Sequence, residues 1–303
     1  MIGTVRTILV VATLAAGGLS GAVALERTRN APALERARNA PALGRAPGAP
    51  APAGLARVVA WVRVVGREPI AATGLTQQPG YPFTPYDGRL MFVRMYFETR
   101  VPPHGRFYSR ETPWHHDYPY AETNLTSIVG DVSYARVLRG GNVIAASDPE
   151  LMRFPVAWIA EPGYWVPDEK ECANLRAYLH KGGFLIFDDF SSDDLPHMEE
   201  QMRRIVPELR PLDLDGTEPI FHTFFDIQPQ QLRLGGYRAR REPERYLGYF
   251  EGNDRTRRQV AIVDSNNDIG EFMEYNDTGF NAVDDRNYAF KLGVNYLLYA
   301  LSH

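Results

Sequence analysis

Residues 167–187 constrain this chain more than any other stretch. Pro167 opens a helix that carries Asp168, Glu169 and Glu171 in its first turn, where the helix dipole favours negative charge. Leu175 and Leu179 recur at helical spacing, Lys181 stands in the last turn, and Gly182-Gly183 stop the helix. Phe184-Leu185-Ile186-Phe187 follows at once as an unbroken apolar run. A strand without polar alternation is buried on both faces, and such strands belong to parallel sheets covered by helices on either side. A chain built around this unit is expected to fold as α/β.

The flanking segments repeat the alternation. Arg89 to Phe97 reads as a strand from its aromatic and β-branched content, and Ala121 to Arg136 carries Leu125, Ile128, Val129 and Val132 at helical spacing. Asn142 to Ala146 and Pro155 to Ala160 are apolar runs of strand length. Asp194 to Val206 predicts an amphipathic helix, with Asp193 or Asp194 available to cap it. Tyr246 to Phe250 and Gln259 to Val263 predict strands, and Arg286 to Leu301 a closing helix. Strands alternating with helices imply a mostly parallel sheet between two helical layers.

The first 82 residues are of different kinds. Arg6 precedes an apolar run, and Ala22-Val23-Ala24 matches a signal-peptidase site, so residues 1–24 read as a signal peptide. The eighteen residues from Ile8 to Leu25 carry no charge, which also suffices for a retained membrane anchor. Either reading exports the remainder to the periplasm or the outer side of the inner membrane. Residues 25–54 contain LERTRNAPA followed directly by LERARNAPA and then an Ala/Pro/Gly run. Such a segment cannot bury enough apolar surface to order itself, and it reads as a disordered linker. Residues 55–82 form an N-terminal extension in which Leu55 to Val65 suits an edge strand or a short helix. The α/β domain is expected over 83–303.

Composition narrows the chemistry. A net charge of −4 supplies no basic face for nucleic acid, so none is expected as a partner. The one cysteine, Cys172, excludes an intramolecular disulfide and any cysteine metal cluster. It falls inside the helix that ends at Lys181, where a thiol packs in a core, and no G-x-S-x-G elbow occurs. A cysteine or serine hydrolase is therefore disfavoured.

An ordered set of short motifs resembles the bacterial domain-of-unknown-function family 4159. The set comprises Trp114 with Asp117-Tyr118-Pro119 and Asn124, then Gly182-Gly183-Phe184-Leu185 with Asp188-Asp189. It continues through Pro219-Ile220-Phe221-His222, Asn266-Asn267-Asp268, and Leu292-Gly293-Val294-Asn295 with Tyr299 to His303. The resemblance runs from about Phe83 to the C-terminus. It implies a flavodoxin-like three-layer sandwich related to class I glutamine amidotransferase-like folds. It also implies, as partners, envelope proteins of the von Willebrand A type and an AAA-type ATPase system. It carries over no catalytic residue.

In open α/β sheets, ligands sit beyond the carboxyl ends of the strands. Those ends place Glu161, Asp188, Asp189 and Asp264 to Asp268 on one rim. Such carboxylates suit a hard cation, Mg²⁺ or Ca²⁺, with Asp188, Asp189 and Asp268 as ligands, or they bind a sugar; they also serve simply to solvate the rim. His115, His116 and Asp117 form a second set, since imidazole suits transition metals. Adjacent histidines point apart, however, and the preferred reading is that Trp114 and Tyr118 plug the end of the sheet while Asp117 holds the loop by hydrogen bonds. Asn124, Asn266 and Asn267 complete the candidate ligand-binding residues, while His222 reads as structural. Two functions follow as expectations: a non-catalytic binding or assembly module of the cell envelope, or a metal-assisted hydrolase acting on glycan or peptide.

Overall fold

The computed structural model describes residues 13–14, 21–22, 80–81, 83–99, 112–229, 243–276, 278–279 and 281–303. The chain divides into two units, Met1–Arg57 and Val58–His303. Of the first, only a short antiparallel pairing of Thr13–Leu14 with Gly21–Ala22 is described. The rest of the expected signal or anchor, the linker and the Leu55 to Val65 segment lie outside the described residues. Among the described residues, no helix is long and apolar enough to cross a membrane.

The second unit is an α/β domain around a seven-stranded sheet. Its strands are β1 (Leu90–Tyr96), β2 (Val137–Ala145), β3 (Val156–Ala160), β4 (Phe184–Asp188), β5 (Pro211–Asp213), β6 (Arg245–Phe250) and β7 (Gln259–Ser265). Its α-helices are α1 (Tyr120–Val132), α2 (Glu169–Lys181), α3 (Leu195–Ile205), α4 (Ile269–Glu274) and α5 (Val283–Ser302). The spatial order is β2-β1-β3-β4-β7-β6-β5. The first five strands in that order are parallel, and β6 and β5 close one edge antiparallel. The order of the parallel part is consistent with a flavodoxin-like sandwich, whose chain reverses its direction of travel between β1 and β3.

The two faces of the sheet are filled by alternation. Met91, Val93 and Met95 of β1, Leu185 and Phe187 of β4, and Ala261 and Val263 of β7 share one buried cluster with α2 and α3. The intervening residues face α1, α4 and α5, which pack on one another. All five residues of β3 and of β4 are buried, as a strand covered on both sides requires.

Local chemistry sets the element ends. Asp168 rather than Pro167 begins α2: its side chain accepts from Glu171 N–H at 2.9 Å, while Glu171 Oε2 accepts from Asp168 N–H at 2.8 Å. This reciprocal cap satisfies two amide donors at once. Gly182 ends α2 at φ 116, a conformation that strongly favours glycine. Asp194 occupies the cap position of α3, yet its carboxylate accepts from Ser191 Oγ at 2.7 Å and makes no cap bond. Two elements escape sequence reading. β5 is a three-residue edge strand beginning at Pro211, and α4 is a six-residue helix too short to show periodicity. β2 begins at Val137, five residues earlier than expected, because Gly140-Gly141 interrupt its apolar run.

Gly183 lies against the fully buried ring of Tyr178, and a Cβ added there would overlap that ring. Gly183→Ala is expected to destabilise the domain by about 1–3 kcal/mol, as overpacking does. Equilibrium urea unfolding measures the loss; an unchanged midpoint would contradict this packing.

Candidate functional site

Strand register builds the rim. Ala160 pairs with Asp188 and Phe187 with Val263, so the residues that follow β3, β4 and β7 leave the sheet side by side. Glu161, Asp189 and Asn266 are those residues, and all three turn at once into the left-handed region, with φ of 48, 59 and 59. Asp117, arriving from the loop after β1, does the same at φ 63. Among the described residues only one other non-glycine position, Asn253, shares this conformation. A left-handed turn costs of order 1–3 kcal/mol for a residue with a side chain, and clustering of such turns marks a site held by its surroundings. At Asp117, Glu161 and Asp189 the turn carries a carboxylate that joins a group of potential ligands.

Two groups of potential ligands result. His116, Glu161 and Asp189 each offer one donor atom, all within 4.8 Å of one another, and Asp117, Asp189 and Asp268 do the same. Asp189 belongs to both. His116 Nδ1 lies 2.9 Å from Asp189 Oδ2 and 3.5 Å from Glu161 Oε1. Ligand atoms around one cation at metal–ligand distances of roughly 2.0–2.2 Å stand about 2.9–3.5 Å apart, so this spacing suits a metal ion. Three oxygens at Asp117, Asp189 and Asp268 favour a hard cation; the imidazole admits Mn²⁺ or Zn²⁺ at the other group.

The remaining candidates divide by their partners. Asp188 joins neither group: its two oxygens accept from Ile269 N–H at 3.1 Å and Gly270 N–H at 2.9 Å, tying β4 to the start of α4. Asp268 caps the same helix through Glu271 N–H at 3.0 Å. Gly270 is required there, since a Cβ would overlap the Asp117 carboxylate. His115 turns away from His116 into a ring cluster with Tyr81, Trp114 and Tyr118. Tyr118 is thus part of the plug that closes this end of the sheet. Asn124 donates to Met273 O at 2.8 Å, joining α1 to α4, and Asn267 donates to Tyr246 Oη at 3.3 Å. Asn266 donates its backbone N–H to Phe190 O at 3.0 Å. His222 is held by Asp226 Oδ1 at 2.5 Å and Gly216 O at 2.7 Å, a structural arrangement. Cys172 is buried within α2.

The family model for Domain of unknown function (DUF4159) matches residues 105–301. The chain belongs to this family. No curated protein matches the sequence. Both ligand groups of this DUF4159 domain lie inside the matched region.

Two further groups complete the electrostatics of the domain: Arg94, which sequence reading passed over, and Asp264, which it expected on the rim but which lies within β7. Arg94, on β1, is 1% exposed and its Nε donates to Glu122 Oε1 at 2.6 Å. A charge inside the apolar run RLMFVRMYF was the available signal. Asp264, on β7, accepts from Tyr296 Oη at 2.9 Å deep under the rim. Burial, then the Asp189 charge, pushes Asp268 well above the ordinary carboxyl range, with Asp117 and Asp188 adding to it. Burial and Asp189 do the same to Asp117, against the pull of Arg94. Asp264 is raised by burial and by Asp188. Asp188 is pushed up to about 7 by burial and then by Asp189, despite the opposing amides of Ile269 and Gly270. These carboxyls cannot all ionise together without a counter-ion. A proton or a cation at the rim would relieve that repulsion.

A pH dependence follows. Between about 3.8, the ordinary value, and about 7, the native state holds an Asp188 proton that the unfolded chain has released. Unfolding free energy of the metal-free protein is therefore expected to fall as pH rises through that window. Asp188→Asn is expected to flatten the slope, measured by urea unfolding at pH 4.5 and 7.5 with chelator. An equal slope in both proteins would rule out Asp188 as its source.

Proposed function

We propose that this DUF4159 chain is an exported binding or assembly module of the cell envelope whose acidic rim takes divalent cations. The observation that carries the reading is Asp189, shared between two groups of ligand atoms at the carboxyl ends of parallel strands. A carboxylate in that position can link two cations, or serve one at a time. Charge supports the same reading: desolvated carboxyls that raise one another's proton affinity gain most from an ion that neutralises them. Strands that end at a topological switch point also put the rim where ligands of such sheets bind. Export rests on residues 1–24, whether they are cleaved as a signal or kept as an anchor, and partners of the von Willebrand A and AAA-ATPase types belong to this proposal.

A second reading, metal-assisted hydrolysis, is favoured by one observation. His116 and Asp117 are only partly buried, so solvent reaches these two residues. A metal-bound water there would be the nucleophile, with its proton acidified by the cation. Cys172 is buried and Ser191 donates to Asp194, so neither is placed to attack. Glycan or peptide remains the substrate class under this reading.

Cation binding is tested by metal analysis with thermal unfolding in Mg²⁺, Ca²⁺, Mn²⁺ and Zn²⁺. A cation at 100 times its Kd adds about 2.7 kcal/mol of stability, which corresponds to a rise in Tm of about 5–10 °C. Asp189→Asn is expected to abolish the rise for every cation. No rise with any of the four in the wild-type protein would sink the proposal. Export is tested by mass measurement of the protein from fractionated cells. A product beginning near Leu25 identifies cleavage, a full-length product in the membrane identifies an anchor, and a full-length cytosolic product refutes export.

A further inference from the structure

The pairing of Arg94 with Glu122 is incomplete in a way that a purely structural ion pair is not. Both side chains are buried, at 1% and 0% exposure. Arginine and carboxylate ordinarily meet through two parallel hydrogen bonds. Here only Nε donates, to Glu122 Oε1 at 2.6 Å, and Glu122 Oε2, Arg94 Nη1 and Arg94 Nη2 have no hydrogen-bond partner among the described residues. Two donor groups of a buried cation are thus left open, an arrangement that is costly unless something accepts from them. The guanidinium sits 5.7 Å above the Phe92 ring, which supports its position in the layer beneath α1. Register puts Arg94 level with Trp158 and Ile186, on the sheet face that also carries Asp188 two residues further on, so it stands directly beneath the rim. Neither Asp117 nor Asp188 makes a hydrogen bond to it.

We propose that Arg94 is the oxyanion-binding half of the rim. A phosphoryl or carboxylate group of the ligand accepts from Nη1 and Nη2, while a cation held by Asp117, Asp189 and Asp268 takes another of its oxygens. The inference rests on the cation-binding reading and specifies the ligand class for it. The order of assembly follows from charge. Without a cation, Asp117 and Asp188 repel an anion from Arg94; with one, the local charge no longer does, and the fork geometry matches two oxygens of the anion. Cation and oxyanion therefore bind together.

The test uses the full-length chain and two probes, inorganic phosphate and acetate, titrated calorimetrically against protein with and without Mn²⁺. At least one probe is expected to bind the Mn²⁺-loaded protein ten times or more tighter than the metal-free protein, and the tighter of the two identifies the oxyanion. Arg94→Lys keeps the charge beside Glu122 but lacks the fork. It is expected to weaken that probe about tenfold or more while leaving Mn²⁺ affinity within about threefold. If this variant does not fold, the double variant Arg94→Met with Glu122→Met removes the pair as a unit and is expected to lose the probe likewise. Mn²⁺ binding with no binding of either probe, or equal probe binding by the folded variant, overturns the oxyanion site alone. Failure of the wild-type protein to bind Mn²⁺ overturns this inference, whereas the cation reading falls only if Mg²⁺, Ca²⁺ and Zn²⁺ fail as well.

Discussion

Carboxyl groups crowded into one desolvated rim repel one another, and much of the local architecture answers that repulsion. Asp189 stands between two groups, His116 with Glu161 on one side and Asp117 with Asp268 on the other, and Asp188 lies beside it. Each neighbour raises the cost of ionising the next, and the low-dielectric surroundings magnify the effect. Three kinds of polar partner limit the cost. Amides at the start of α4 receive Asp188, His116 meets Asp189 and Glu161, and the buried Arg94 stands beneath the rim. The remainder is left for protons or a cation.

The rim depends on the sheet being parallel there. Parallel strands bring all their carboxyl ends to one edge, so consecutive crossovers deliver Asp117, Glu161, Asp189 and Asn266 to the same place from distant parts of the chain. The antiparallel strands β6 and β5 contribute to the edge of the sheet instead, although Tyr246 of β6 still reaches Asn267. The two faces serve separate purposes. Around α2 and α3 the packing is apolar, and it encloses Cys172. Beneath α1, α4 and α5 lies the polar layer of Arg94, Glu122, Asp188, Asp264 and Tyr296.

Much of the fold was legible because its elements announce themselves locally. The helix from Glu169 to Lys181 carried its charges, apolar stripe and glycine stop in sequence, and the strand after it was apolar throughout. The rim was legible in part, because residues just past an apolar run can be named without coordinates. Asp188 and Asp189 were adjacent candidates of equal appearance, and their roles divided on side-chain direction: alternate residues of an extended strand face opposite layers, and the left-handed turn at Asp189 sends it along the rim. His115 and His116 divided in the same manner. The short elements α4 and β5 could not be read, since neither is long enough to show a period.

By itself, the sequence determined the fold class, the succession of its main elements and the family, because caps, stops and doubly apolar strands act over a few residues. It also determined which chemistry is disfavoured, since one cysteine inside a helix offers no elbow nucleophile. Only the tertiary structure decided which acidic groups meet. Grouping Asp189 with His116 and Glu161 on one side, and with Asp117 and Asp268 on the other, depends on strand register and on crossovers that bring together residues up to 151 apart, from Asp117 to Asp268. Arg94 belongs to that second category as well: its burial follows from α1 lying over β1, and its open donors follow from where Glu122 stops short of them. Local propensity carries no information about either distance.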